Sequence, residues 1–272
     1  MSTELDLEAI ARQMKAAQDE SRQIRPFTSQ FDAFDLDSAY VVADLIHQSR
    51  VQAGAVSVGR KIGFTNPEMW SLYGVHEPIW AHIYDSTVIA VPAGKASCTI
   101  KRFVEPKIEP EIVLHFRSTP PVTDDVEAIL ECIDWVAHAF EIVQSHFPGW
   151  QFQAADTVAD WSLHGTLLVG EPQPVEKLGT GLVSELENFS VALSCDGEFR
   201  EQGRGSNVLG SPLAAIVHLV GVLAKQPQYL PLQANEIVTT GTLTTAHSIK
   251  AGQIWQTELS GIALPGLEVT FV

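Results

Sequence analysis

The sequence predicts an α+β fold in which a helical lead-in precedes a β-rich body. Three observations carry that expectation. Two apolar stripes with helical spacing occupy residues 1–55, short β-branched runs broken by Gly, Pro and Asp follow, and the later helices recur without regular βαβ alternation.

From Leu5 to about Ala17 the chain sets Leu7, Ile10, Ala11, Met14 and Ala17 on one helical face. From Asp37 to about Ala53 it does the same with Ala39, Val42, Ala43 and Ile46, and Arg25-Pro26-Phe27 turns the chain between the two. Such stripes need an apolar partner. Residues 1–55 are therefore expected to be a helical segment packing on a main domain, 56–272. That domain reads as strands at Val58–Phe64, Thr87–Val91, Val104–Phe116, Ala137–Val143, Gly165–Val169 and Phe189–Cys195, with Asp196-Gly197 as a hairpin turn. Ser211-Pro212 starts an apolar helix over Leu213–Ala224, and strands return at Glu236–Thr240, Gln253–Leu259 and Leu267–Val272.

The 272 residues are 45% hydrophobic and 18% charged, which excludes extended disorder and coiled coil as the main character of the chain. Seventeen Lys and Arg face 33 Asp and Glu, a formal net charge of −16, and the longest basic runs are the pairs Arg60-Lys61 and Lys101-Arg102. Phosphate backbones are repelled by such a surface, so no nucleic-acid partner is expected. Cys98, Cys132 and Cys195 are odd in number and far apart, so reduced thiols and a cytoplasmic location are expected. The N-terminal residues lack the apolar core of a secretory signal, and no window holds about 18 uninterrupted apolar residues, so no membrane partner is expected. Phosphate loops, dinucleotide fingerprints, nucleophile elbows and His-Glu-x-x-His are all missing from the sequence, which lowers nucleotide, serine-hydrolase and zinc-protease chemistry together.

The informative stretch is Lys107-Ile108-Glu109-Pro110-Glu111-Ile112. In a strand, residues two apart share a face, so Glu109 and Glu111 project together. Two adjacent carboxylates repel unless they are neutralised, and Mg²⁺ or Mn²⁺ would do so while keeping waters that a chelating substrate can displace. A wet strand face would carry the same pair. Glu141 adds weight, because it interrupts an otherwise mostly apolar run, Val136–Val143, where burying a lone carboxylate is costly. Lys61 likewise interrupts Val58–Phe64, and a lysine there would bind a substrate carboxylate or move a proton.

Seven segments in order resemble the 2-keto-4-pentenoate hydratase branch of the fumarylacetoacetate hydrolase superfamily. They are Gly59–Thr65, Tyr73-Gly74-Val75 with the Pro-centred loop after it, Ile108–Ile112, Phe140–Val143, Asp156–Asp160, Val208–Pro212 and Thr240–Leu243. The resemblance runs from about Phe34 to the C-terminus. It implies a mixed, rolled β-sheet domain with flanking helices, a homo-oligomer, and Mg²⁺ or Mn²⁺ as cofactor. Residue by residue, it makes Glu109, Glu111 and Glu141 metal ligands, Lys61 the catalytic lysine, and Asp156 a further catalytic candidate. Thr240, Gly241 and Thr242 would line the substrate pocket, together with Ile79.

One departure stands out. Hydratases of this branch carry an Asp immediately after the loop proline, whereas Pro78 here is followed by Ile79, which cannot move a proton; His76, Glu77, His82 or Asp85 would have to substitute. Trp161 also stands where these hydratases often have Asn, with His164 nearby. The resemblance implies hydration of a 2-hydroxy-2,4-dienoate to a 4-hydroxy-2-oxo acid in aromatic catabolism. Its alternatives are a 4-oxalocrotonate-type decarboxylase, a C–C hydrolase of acylpyruvates, or a protein that only binds small 2-oxo acids.

Overall fold

The computed structural model describes residues 5–67, 70 and 75–272; Tyr73 and Gly74 of the segments quoted above lie outside these. Helices α1 (Leu7–Asp19) and α2 (Leu36–Gln52) open the chain. Both are capped as their sequences ask: Asp6 accepts the N–H of Ala9 and Asp35 that of Ser38. Then come β1 (Ser57–Gly63), β2 (Ile79–Tyr84), β3 (Val88–Ala90), β4 (Lys95–Cys98) and β5 (Lys107–Phe116). After α3 (Val126–Leu130) follow β6 (Ile133–Val143), α4 (Ala154–Ala159), β7 (His164–Val169) and β8 (Gln173–Pro174). Next are α5 (Val175–Leu178), α6 (Leu182–Asn188), β9 (Ser190–Cys195), β10 (Glu198–Arg204) and α7 (Pro212–Lys225). The chain closes with β11 (Ile237–Thr239), β12 (His247–Ser248), β13 (Ile254–Ser260) and β14 (Glu268–Phe271).

The α+β expectation holds. A larger mixed sheet runs β2-β1-β11-β5-β6-β7-β3, with β12 beside β5 and β8 beside β6, and a smaller one runs β10-β9-β13-β14-β4. Several elements depart from the sequence reading. Strand β5 starts at Lys107 and not Val104, because Glu105 sits at φ 47° and Pro106 follows it. The Pro-centred loop turns into β2 at Ile79, which pairs antiparallel with β1 from Ser57 to Gly63.

The larger sheet curls into a half-barrel with two differently packed faces. On the outer face Ile62, Trp80, Ile112, Leu114 and Val136 meet Ile10, Met14, Val42 and Ile46 of the lead-in helices and Leu213 and Ile216 of α7. Farther along that face Ile108, Phe140 and Ile142 meet Leu193, Trp255 and Phe271 of the smaller sheet. The inner face carries a small apolar set, Ile83, Val113, Ala137, Ala139, Leu167, Val169 and Ile237. By length and composition Gly205–Lys225 could cross a membrane, yet half of its most apolar window is buried within the protein.

Candidate metal centre

Glu109 and Glu111, two residues apart on β5, share the inner face, as strand geometry requires. Register places Glu109 opposite Glu141 of β6, and places Lys61 of β1 opposite Thr239 of β11, itself opposite Val113 of β5. Four neighbouring strands thus deliver five charged or polar groups to one place. One carboxylate oxygen from each of Glu109, Glu111 and Glu141 lies within 4.8 Å of the others. The Lys61 ammonium stands 2.9 Å from Glu141 Oε2, with side chains 4% and 0% exposed.

The electrostatics follow from three crowded carboxylates, Glu111 and Glu141 buried and Glu109 half-buried, sharing one ammonium. Burial pushes Glu111 well above the usual carboxylate range, and Glu141 and Glu109 push it further. Burial also drives Glu109 up to about 7, with Lys61 opposing and Glu141 adding to the rise. At Glu141 burial acts in the same direction, but Lys61 and His164 outweigh it and hold the carboxyl at about 2. Burial would lower Lys61, and Glu141, Glu109 and Glu111 together raise it above the ordinary lysine value. Its ammonium form is therefore the resting one.

Glu111 is held by the turn that follows β11. Its Oε2 accepts the Thr239 hydroxyl and, at 2.9 Å, the N–H of Gly241. Room for that turn comes from Pro110. Leu243 N–H donates to the Pro110 carbonyl and Thr240 N–H to that of Ile112, so the turn lies along the side of β5 where Pro110 has no N–H to offer. Gly241 is at φ 100°, and a Cβ there would sit 2.0 Å from Thr65 Oγ1. Only glycine fits.

The other predicted residues are more scattered. Thr240 spends its hydroxyl on the Ile112 carbonyl, and Thr242 spends its own on Thr244. Ile79 pairs with Gly63, on the Lys61 side of β1 and β2, and is 4% exposed. Asp156 is buried in the first turn of α4, where its carboxylate takes the N–H and hydroxyl of Thr28 and the N–H of Gln153. None of its hydrogen bonds goes to Lys61 or the glutamates.

None of the four groups named as substitutes for the missing Asp has a hydrogen bond or ion pair to Lys61 or the glutamates among the described residues. His82 pairs with Arg60, on the opposite side of β2 from the Lys61 partner Ala81, and stacks on His47 at 3.8 Å. Glu77 is ion-paired to Lys225 at 2.6 Å, and His76 and Asp85 are exposed.

Sequence reasoning gave His164 no role, yet its Nδ1 is 2.6 Å from Glu141 Oε1 and its Nε2 is 2.9 Å from Thr87 Oγ1, all buried. Burial lowers its pKa against the pull of Glu141, so a neutral ring donating from Nδ1 fits the ionised carboxylate. A signal was present: a carboxylate inside apolar β6 demands a partner, and His164 opens the equally apolar neighbouring run.

The donor set fits a hard divalent cation. All three groups are carboxylates, the mutual repulsion that raises Glu109 and Glu111 is what a bound cation would relieve, and buried Glu141 Oε2 has Lys61 beside it but no hydrogen bond of ordinary geometry.

Comparison with known proteins gives the following. Residues 50–269 match the model of the fumarylacetoacetate hydrolase C-terminal family. A 2-keto-4-pentenoate hydratase of Paraburkholderia xenovorans is 28% identical over 257 residues, covering 94% of this chain and 91% of that one. A 4-oxalocrotonate decarboxylase of a Pseudomonas species is 29% identical over 223 residues, covering 81% and 82%. Among solved structures, the 4-oxalocrotonate decarboxylase of Pseudomonas putida G7, complexed with magnesium and adipate, superposes with a TM-score of 0.88 at 23% identity over the whole of both chains.

Proposed function

The chain belongs to the fumarylacetoacetate hydrolase family, and from that premise we propose that it is a divalent-metal-dependent lyase adding water to a 2-hydroxy-2,4-dienoate to give a 4-hydroxy-2-oxo acid. The observation that carries this reading is the convergence of Glu109, Glu111 and Glu141 within 4.8 Å beside the Lys61 ammonium. The names of the related hydratases supply the substrate class. Mg²⁺ or Mn²⁺ held by the three carboxylates would offer open positions to the carboxylate and 2-oxo oxygens of the substrate and stabilise charge that develops on them.

The chain's own residues do the rest. Lys61, protonated at rest, is placed to donate a proton to the substrate carbon chain and take one back. Glu141 holds that ammonium, and the Thr239-Gly241 turn keeps Glu111 aimed at the centre. The inner apolar set, which includes Val113, Ala139 and Leu167 on the same strands as the glutamates or beside them, keeps the surroundings of the centre apolar. A small 2-oxo acid is the expected ligand, in a homo-oligomeric protein.

A decarboxylase is the second reading, favoured by one specific finding: Ile79 stands in place of the acid, and none of its four candidate substitutes is bonded to Lys61 or the glutamates. Loss of CO₂ from a vinylogous carboxylate needs no group to activate water. The test is purified protein with Mg²⁺, assayed on both substrates. Hydration consumes the ultraviolet absorption of 2-hydroxy-2,4-pentadienoate and yields the hydroxy-oxo acid. A persistent dienoate alongside CO₂ release from 4-oxalocrotonate would replace the first reading by the second.

A further inference from the structure

A second pocket opens between α2 and the side of β2 that carries Trp80, His82 and Tyr84. Its walls are largely aromatic: Tyr40 stacks on Trp80 at 5.7 Å, Tyr229 meets Trp80 edge-on at 5.3 Å, and Tyr84 lies 5.4 Å from Trp161. About 450 Å³ within its outline, part of it open to solvent, holds no atoms. Neither Lys61 nor any of the three glutamates lines it, so it is separate from the candidate metal centre.

The polar groups in these walls are only partly used. Arg50 lies over the Trp161 ring at 4.6 Å and donates from Nη2 to Gln18 Oε1 at 2.8 Å, yet its Nε is buried without a hydrogen-bond partner. Such an N–H is costly, and an occupant that accepts from it relieves the cost. Gln18 Oε1 accepts no second bond among the described residues, so Arg50 offers a donor and Gln18 an acceptor to the same pocket. There is no surplus of positive charge. Asp19 stands 3.6 Å from the Arg50 guanidinium, Asp44 also lines the pocket, and Arg60, over Trp80 at 4.8 Å, is paired with Glu236 at 3.3 Å. His47 and His82, stacked at 3.8 Å, add none, since burial lowers both and keeps the rings neutral. The walls therefore favour a neutral ligand whose polar group both accepts and donates over an anion.

We propose that this pocket binds a flat, uncharged phenol, its ring among the aromatic walls and its hydroxyl accepting the Arg50 Nε–H while donating to Gln18 Oε1. The proposal is independent of the metal-dependent reading above.

The experiment is calorimetric titration of full-length protein with phenol, benzoate and toluene, alongside Arg50→Met and Ala43→Phe, each checked for folding by circular dichroism. Wild type binds one phenol per chain, and benzoate and toluene on the order of tenfold more weakly. Arg50→Met, which keeps an apolar stem near Trp161, weakens phenol on the order of tenfold and leaves toluene unchanged. If Arg50→Met does not fold, Ala43→Phe decides, because its ring fills the pocket from α2 and abolishes phenol binding with the arginine intact. Saturating Mg²⁺ and oxalate leave the phenol affinity as it was. Wild type that binds no phenol, benzoate or toluene bound as tightly as phenol, or phenol affinity unchanged in a folded variant overturns the proposal. Displacement of phenol by Mg²⁺ with oxalate overturns it too, by moving the ligand to the metal centre.

Discussion

At the scale of single residues, Lys61 decides between an enzyme and a protein that only binds oxo acids. Its ammonium is buried 2.9 Å from Glu141 and held charged by all three glutamates. Replacing it with alanine removes the group proposed to move protons and leaves every carboxylate in place. Lys61→Ala should lower kcat about 10²–10⁴-fold in the dienoate assay. Calorimetry should show Mg²⁺ binding kept or strengthened, since the ammonium no longer competes for Glu141 Oε2. Unchanged turnover would remove Lys61 from the chemistry. This residue and the three acids were legible in the sequence because a charge interrupting an apolar strand, or two acids at strand period, needs no knowledge of distant neighbours. His164 was not, because what defines it is a contact 23 residues away in sequence, made only when β6 and β7 pair.

At the scale of elements, the turn after β11 does the most positioning with the least chain. Gly241 is at φ 100° against Thr65, and its N–H fixes Glu111, so Gly241→Ala strains the backbone and crowds Thr65 together. A loss of at least about 1–3 kcal/mol is expected from denaturant unfolding, with weaker Mg²⁺ affinity in the variant that remains folded. Unaltered affinity would mean that the turn does not set the Glu111 position. The Thr240-Gly241-Thr242 segment could be picked out from sequence, but which of its groups reaches the acid could not: the two hydroxyls turn back on the backbone and the glycine N–H does the work. Strand β2 was hidden for another reason. It follows a proline and is buried on nearly every residue, so it shows no alternation of polar and apolar positions. Strand β10, Glu198–Arg204, is a polar edge recognisable only through the Asp196-Gly197 turn before it.

At the scale of the whole molecule, the lead-in helices and the half-barrel share one apolar core, and polar groups caught between them make stability depend on pH. His82 lies where α2 packs on β2, and burial, reinforced by Arg60 and His47, pushes its pKa from 6.5 down to about 2. The unfolded chain takes up a proton below about 6.5 that the folded one refuses, so this group costs stability progressively as pH falls from about 6.5 toward 2 and nothing above it. Glu109 has the opposite sign: with its folded value raised to about 7, it costs metal-free protein stability as pH rises from 4.5. Comparing wild type with His82→Gln isolates the histidine. The difference in unfolding free energy should be constant above pH 7 and turn against wild type in acid; a difference independent of pH would contradict the buried neutral ring. The α+β class and the order of most strands could be read from periodicity, while the curl that brings β1, β11, β5 and β6 to one centre arises from pairings between segments far apart in the chain. The central claim is that this curl gathers three acids around one cation next to a lysine. Anomalous diffraction from crystals grown with Mn²⁺ and oxalate tests it most directly. One manganese peak should lie among the carboxylates of Glu109, Glu111 and Glu141, with oxalate completing its coordination and reaching toward Lys61. Manganese elsewhere, or three acids turned away from a common point, would contradict it.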